Sequence, residues 1–294
     1  MSNYTIVRLG AENIALLYTL YERVYQKKCA DHYFHLKYNT TYTGSLYIGY
    51  FALENNQPIA YYGVVPTNVS LKNSIVLAAQ SCDTMTHPEH RKKGLFTELA
   101  GRTFELAKKE GVHFVFGFPN QNSYPGFIER LAFTHSETLN RYTMVFSDSL
   151  LKKLFRKYNS VLARKERVLL KNTLLEQEHD GIIYDKDYFN YKRYNKNFTL
   201  IFKTGPVWLN QSGDLWMGAT SVLETKEIME QLLYVHRITK AASVTFMISP
   251  GTIQDALFSE ILKPAEGFPA IIKNLSGIYS LDKLKFQFAD IDIF

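Results

Sequence analysis

The sequence predicts an α/β fold with a mixed sheet, built from two halves. Three observations lead there. Strand-like runs early in the chain are joined by short polar turns. An amphipathic helix closed by a glycine then stands between two apolar strands, the arrangement of an α/β layer structure. Short pieces of this first half return after residue 178.

Taken in order, residues 11–27 carry Ile14, Leu17, Leu20 and Val24 at helical spacing. Ala30 to Tyr38 reads as a second short helix. Leu46–Leu53 and Ile59–Val65 flank the turn signal Glu54-Asn55-Asn56-Gln57, which makes a hairpin. A second turn, Lys72-Asn73-Ser74, leads into a strand that starts at Ile75 and runs through Cys82. After a polar, basic stretch, Phe96, Leu99, Ala100, Phe104 and Ala107 recur at steps of three and four, an amphipathic helix ended by Gly111. Val112–Phe118 is a continuous apolar strand, followed by another helix and strand. Residues 148–178 read as a helical linker whose basic residues form a solvated face. Domains are therefore expected at 1–147 and 179–294. In the second, Tyr188-Phe189-Asn190-Tyr191-Lys192-Arg193-Tyr194-Asn195 echoes Tyr33-Phe34-His35-Leu36-Lys37-Tyr38-Asn39. The echo is short enough that a degenerate duplicate and simple α/β similarity both fit it.

Composition narrows the function classes. Hydrophobic residues at 46% and charged residues at 21% give the balance of a soluble globular protein. The net charge of +6 favours anionic partners. No run of five or six like charges marks a nucleic-acid arm, so phosphorylated small molecules are expected and nucleic acid is not. Two cysteines, Cys29 and Cys82, cannot make a disulfide scaffold or a four-cysteine metal site. With no Cys-x-x-Cys or His-Glu-x-x-His, no metal is expected. The first residues lack the pattern of a signal peptide. No apolar run approaches the roughly 18 to 20 residues of a membrane helix, so a cytoplasmic location is expected.

The polar stretch carries the chemistry. It reads Thr86-His87-Pro88-Glu89-His90-Arg91-Lys92-Lys93-Gly94-Leu95-Phe96 and opens into a helix. The first N–H groups of a helix lack intrahelical partners, and the macrodipole adds positive potential there. A diphosphate can take those donors. Gly94 has no Cβ to obstruct the approach, and Arg91, Lys92 and Lys93 add charge.

This stretch resembles motif A of the GNAT superfamily of acyl-CoA-dependent N-acyltransferases, with Phe96 in place of its last glycine. Gly117-Phe118-Pro119-Asn120-Gln121-Asn122-Ser123-Tyr124-Pro125-Gly126-Phe127, leading into Ile128-Glu129-Arg130-Leu131-Ala132-Phe133, resembles motif B. Ile128 stands where that motif has the tyrosine that protonates the departing thiolate. The likeness covers about residues 5 to 147. It implies a GNAT fold with a splayed mixed sheet, followed by a second, GNAT-like half contributing to the acceptor site. Asp83-Thr84-Met85-Thr86-His87-Pro88 and Phe118 to Tyr124 look more narrowly like bacterial nucleotide-sugar N-acyltransferases of surface-polysaccharide synthesis. Those acylate the amine of sugars such as dTDP-3-amino-3,6-dideoxygalactose with acetyl or 3-hydroxybutanoyl groups from coenzyme A.

The resemblance implies that Thr84, Met85 and Thr86 pair with the pantetheine arm. Arg91, Lys92, Lys93, Gly94, Leu95 and Phe96 would hold the diphosphate, with Thr97 adding a hydroxyl. Asn120, Asn122 and Ser123 would bind pantetheine amides or serve as turn residues. Gln80 replaces the usual Glu or His base, which leaves Asp83 to take a proton from the amine or to orient it. The role of acid falls to Tyr124, Ser123, water or no group at all. Tyr33, His35, Lys37 and Tyr38, with Gln80, are expected to line the acceptor side or to pack as an ordinary helix. Cys82, His113 and His135 are expected to be structural. Two other functions fit the sequence: a tRNA-dependent aminoacyl or peptidyl transferase, and an acyl-CoA sensor without turnover.

Overall fold

The computed structural model describes residues 4–147, 164–165, 168–212 and 214–294. In chain order the elements of the first part are β1 (Thr5–Arg8), α1 (Ala15–Tyr25), α2 (Tyr33–Lys37), β2 (Ile48–Glu54), β3 (Gln57–Leu71), β4 (Ser74–Thr86), α3 (Leu95–Lys109), β5 (Phe114–Gly117) and α4 (Tyr124–Leu131). They continue with β6 (Thr134–Val145), β7 (Arg164–Lys165), α5 (Thr173–Glu176), β8 (Gly181–Ile182), α6 (Lys186–Tyr191), β9 (Asn197–Phe202) and β10 (Gly205–Ser212). The last are β11 (Asp214–Thr220), α7 (Thr225–Thr239), β12 (Ser243–Ile248), α8 (Ile253–Ser259) and β13 (Ala265–Asn274).

The chain divides into two compact units. Unit 1 comprises Met1–Ser136 and Ala270–Ser280; unit 2 comprises Glu137–Pro269 and Leu281–Phe294. This differs from the linear expectation. Residues 137–147 belong to unit 2, and residues 270–280 belong to unit 1. A strand's partner is chosen by edge hydrogen bonds and core burial, which a linear reading does not see. Much of the expected linker helix, 148–163 and 166–167, lies outside the described residues. Arg164–Lys165 is a strand paired with β9, and Thr173–Glu176 is a short helix.

In unit 1 the strand order is β1-β2-β3-β4-β5-β13. β2, β3 and β4 form an antiparallel meander. Both of its turns are two residues long, with Asn55 and Asn56 at φ 49° and 61° and Lys72 and Asn73 at 48° and 65°. Two successive left-handed residues match the twist of the strands they join. α3 follows β4 and is closed by Gly111 at φ 86°. β5 then runs parallel to β4, and β13 pairs antiparallel with β5, Ile271 opposite Gly117. The core on one face gathers Leu95, Leu99, Ala100 and Phe104 of α3 against Tyr62, Val64 and Ala79 of the sheet, with Ile271 among them.

Two irregularities position the site. β4 and β5 pair from Ala78–Phe114 to Gln80–Phe116, after which β4 runs on alone to Thr86 beside β3. The two parallel strands thus part. Between Cys82 and Met85, Asp83 and Thr84 stand opposite the single residue Tyr62. This is a β-bulge, with Asp83 left-handed at φ 50°. Gly49 and Gly63 make room beside it, since a Cβ at either would collide with the buried Tyr61 hydroxyl.

In unit 2 the order is β6-β12-β11-β10-β9-β7. β9, β10 and β11 form a meander, α7 follows, and β12 lies parallel to β11 with α8 after it. The succession of meander, helix, parallel strand and helix is thus common to both units. Leu209, Met217, Leu232, Phe246 and Phe258 lie in its core. Near the end of the chain Phe288 stacks on Trp216 and Phe294 packs edge-on against Trp208. Among the described residues, no helix is long and apolar enough to cross a membrane.

Candidate active site

The loop from β4 to α3 leaves backbone N–H groups open at the start of a helix. Lys92 and Gly94 are both left-handed, at φ 65° and 79°. Gly94 is the N-cap of α3, and no side chain caps that helix. The first-turn N–H groups of a 15-residue helix are therefore left for a ligand. Gly94 serves the positive φ, and a Cβ there would meet nothing within 4 Å. It keeps the mouth open.

A cavity of about 460 Å³ lies at this point. Its lining brings together Thr84, Met85 and Thr86 from β4, Arg91, Lys92, Gly94, Leu95, Phe96 and Thr97 from the loop and α3, and Asn122 and Ser123 from the turn before α4. Residues from three separate stretches thus converge where β4 leaves β5. Arg130 of α4 also lines it, as do His90, Glu129, Gly126 and Tyr25. Arg130 was not expected; it stands one helical turn beyond Gly126, and that spacing was the available signal.

Phe96 has a clear place. Its ring packs edge-on against Tyr62 and Phe127, at 5.9 and 5.5 Å between centroids. A Cβ on Gly126 would come within 3.3 Å of it. The side chain thus goes to the core between α3 and α4.

Residues 5–136 match the family model described as an acetyltransferase (GNAT) domain. Residues 5–136 carry the GNAT fold. Over its whole length the chain is similar to solved structures. A conserved protein of unknown function from Enterococcus faecalis V583 shares 13% identity over 94% of this chain and 73% of that one, with a TM-score of 0.68. A GCN5-related N-acetyltransferase from Kribbella flavida shares 13% over 93% and 72%, at 0.63. The N-myristoyltransferase of Saccharomyces cerevisiae, solved with bound myristoyl-CoA, shares 10% over 92% and 83%, at 0.60. No curated protein matches the chain.

Within this GNAT fold the remaining expected residues lie apart from the cavity. Asn120 shapes the turn: its Oδ1 accepts from the N–H groups of Asn122 and Ser123, at 3.0 and 3.1 Å. Lys93 donates to His90 Nδ1 at 3.2 Å. The Tyr124 hydroxyl hydrogen-bonds to His135 Nδ1 at 3.2 Å, and Tyr124 is not in the lining. His135 is therefore its structural partner. The His113 ring lies edge-on to Tyr279.

The bulge holds a second polar cluster. The Lys37 ammonium contacts both Asp83 oxygens, at 3.0 and 2.9 Å, and the Tyr38 hydroxyl donates to Oδ2 at 3.0 Å. The Lys37 side chain is 1% exposed and that of Asp83 15%. Burial, then the Asp83 charge, holds the Tyr38 hydroxyl well above the ordinary tyrosine range, so it stays protonated and donates. The bulge thus turns Asp83 toward α2, where Lys37 neutralises it. Cys82 is buried, with its Sγ 3.7 Å from the Tyr38 hydroxyl. Tyr33 lies against Lys37, 5.5 Å from ring centroid to Nζ. His35 is exposed and bonded to the Tyr18 hydroxyl. Gln80 is buried on the strand face it shares with Cys82.

Among the described residues, His87, Glu89 and His90 offer ligand atoms within 4.8 Å of one another. Cations crowd this set. Lys93 bonds to His90, and the Arg23 and Arg91 charges reach His87. Burial, then Arg23, lowers the His87 pKa below the ordinary imidazole value. Those charges oppose a further positive ion.

Proposed function

We propose that the chain is an acyl-CoA-dependent N-acyltransferase whose acceptor is the amine of a nucleotide-linked amino sugar, such as dTDP-3-amino-3,6-dideoxygalactose. The acyl group is acetyl or 3-hydroxybutanoyl. The observation that carries this reading is the cavity at the uncapped start of α3. There, free N–H groups meet Arg91, Lys92 and Arg130 at the mouth of a splayed parallel pair. A pyrophosphate fits that donor set, because its charge is delocalised over oxygens that main-chain N–H groups can share.

Coenzyme A supplies the acyl group as an activated thioester. The chain's own residues do the rest. On the edge that β5 has left, Thr84, Met85 and Thr86 of β4 offer backbone groups to the pantetheine arm, and Asn122 and Ser123 line the same cavity. The acceptor amine must lose a proton before it attacks. Both Asp83 oxygens are engaged by Lys37, and Oδ2 also accepts from the Tyr38 hydroxyl. We assign it the orientation of the incoming amine, with water carrying the proton away. The bulge serves this role by turning Asp83 out of the strand repeat.

One other reading draws support from the same residues. The Tyr124 hydroxyl is engaged by His135 and Asp83 by Lys37. Neither of these two expected catalytic groups is free of a partner. A sensor that binds acyl-CoA without turnover would have this character. Incubation with acetyl-CoA or 3-hydroxybutanoyl-CoA and a panel of nucleotide amino sugars, followed by intact-mass analysis of the sugars, separates the two. A mass gain of one acyl group is expected. Binding of the thioester with no acylated sugar would favour the sensor.

The second half is best read as a repeat of the first that has lost its phosphate loop. Between β11 and α7 stand Ser221, Val222, Leu223 and Glu224, with neither glycine nor cation.

A further inference from the structure

We propose that unit 2 holds a ligand cavity of its own that takes a nucleoside diphosphate. The cavity has a volume of about 750 Å³, within the range of small-molecule sites. All its lining residues belong to unit 2. It is not the phosphate loop of a GNAT domain, for it lies on α6 and β9 rather than at the start of α7.

Its wall is aromatic. Phe189 stacks on Trp208 at 4.2 Å between centroids and 21° between planes. Trp208 is fully buried, and its indole N–H donates to Asn197 Oδ1 at 3.2 Å. Phe189 is thus held in place from behind while it remains half-exposed. Phe198 adds a second half-buried ring. Stacking surfaces of this kind accept any nucleobase, since every base has a π face.

The rim is basic. Lys186, Phe189, Asn190 and Arg193 recur at steps of three, four and seven, so one face of α6 and the turn after it presents them together. Lys186 and Arg193 are exposed, and neither forms an ion pair among the described residues. Asp185 nearby is taken up in capping α6, where its Oδ1 accepts from the Tyr188 N–H. Asp187 does not line the cavity. Two exposed cations on this rim supply the counter-charge that a diphosphate needs. Ring on one side and phosphates on the other is the chemistry of a nucleoside diphosphate.

Two sources offer that group: the nucleotide part of the acceptor sugar and the adenosine diphosphate end of a coenzyme A molecule other than the one at α3. The first rests on the function proposed above; the binding site itself does not. The test is isothermal titration of the full chain with dTDP, with 3′-phospho-ADP and with inorganic pyrophosphate. One-to-one binding of at least one nucleotide in the micromolar range is expected. The tighter of the two identifies the source. The double variant Lys186→Glu, Arg193→Glu is expected to weaken it by about tenfold or more. Both side chains are exposed, so that variant folds. Gly94→Trp, which blocks the unit 1 loop and so removes 3′-phospho-ADP or pyrophosphate bound there, is expected to retain one-to-one nucleotide binding, and all the comparisons are read in that background. The proposal is overturned if neither nucleotide binds, if the charge reversals have no effect, or if pyrophosphate binds as tightly as the nucleotides. Loss of coenzyme A affinity in Gly94→Trp is a separate result, which tests the unit 1 site alone.

Discussion

Lys37 is 1% exposed, and its ammonium lies 2.9 Å from Asp83. Removing one partner of such a pair leaves an uncompensated buried charge. Asp83→Ala is therefore expected to lower unfolding stability by about 3 kcal/mol or more. Lys37→Met with Asp83→Leu removes both charges and should recover most of that loss. Chemical denaturation of the single and double variants closes the cycle. Equal losses in Asp83→Ala and in the double variant would mean that the pair holds no structural charge balance. Asp290 gives a pH test. Burial pushes its pKa from 3.8 up to about 7, against the Tyr184 hydroxyl, the Gln287 N–H and the Lys192 charge. A carboxyl whose folded pKa is raised keeps its proton in the native state while the unfolded chain releases it. Stability from this group is full below the unfolded pKa and falls as pH rises through the folded one. The loss between about pH 4 and pH 7 amounts to at most about 4 kcal/mol. Asp290→Asn should flatten that fall, as seen in denaturation midpoints measured at pH 5, 6, 7 and 8. An unchanged slope would show that Asp290 is ionised in the folded protein.

At the scale of the element, the start of α3 carries the most weight. Gly94 sits at φ 79°, and an alanine there costs about 1 kcal/mol from backbone strain alone. Its methyl would meet nothing within 4 Å, so thioester binding should survive. Gly94→Trp places an indole over the N–H groups and should abolish coenzyme A binding while the fold melts cooperatively. Calorimetric titration reads both. Retained affinity in the tryptophan variant would remove the loop from the site. The echo between α2 and α6 has an element-level counterpart. Lys37 and Lys192 hold matching places in it, and each is 1% exposed. Lys37 answers a carboxylate, whereas Lys192 donates to the Ile291 carbonyl at 2.7 Å. The two buried lysines thus satisfy their charges on different acceptors in the two units.

At the scale of the molecule, unit 1 is closed by a segment from the far end of the chain. β13 covers the edge of β5, and Ile271 sits fully buried among the residues that pack under α3. A fragment of residues 1–147 lacks that strand and leaves a bare apolar edge, which favours association. It is expected to aggregate or to melt without cooperativity. A peptide of residues 266–280 added in trans should restore a cooperative transition, followed by circular dichroism. In the full chain, Ile271→Ala should cost about 3 kcal/mol through the cavity it leaves. A soluble, cooperatively folded fragment would show that β13 is dispensable.

Local signals carried the meander, the helix after the basic loop, its glycine stop and its uncapped start. Each depends on neighbours within a few residues: turn chemistry, apolar period, and N–H groups that no side chain caps. Of the residues expected at this loop, Thr84, Met85, Thr86, Arg91, Lys92, Gly94, Leu95 and Phe96 line one cavity, while Lys93 bonds to His90 and does not. The bulge at Asp83, its pairing with Lys37, the exchange of β13 into unit 1 and the gathering of Phe189, Trp208 and Arg193 around one cavity were settled only in three dimensions. Those depend on which distant strand or ring completes a hydrogen-bond edge or fills a void, and such a choice is made by the packed whole.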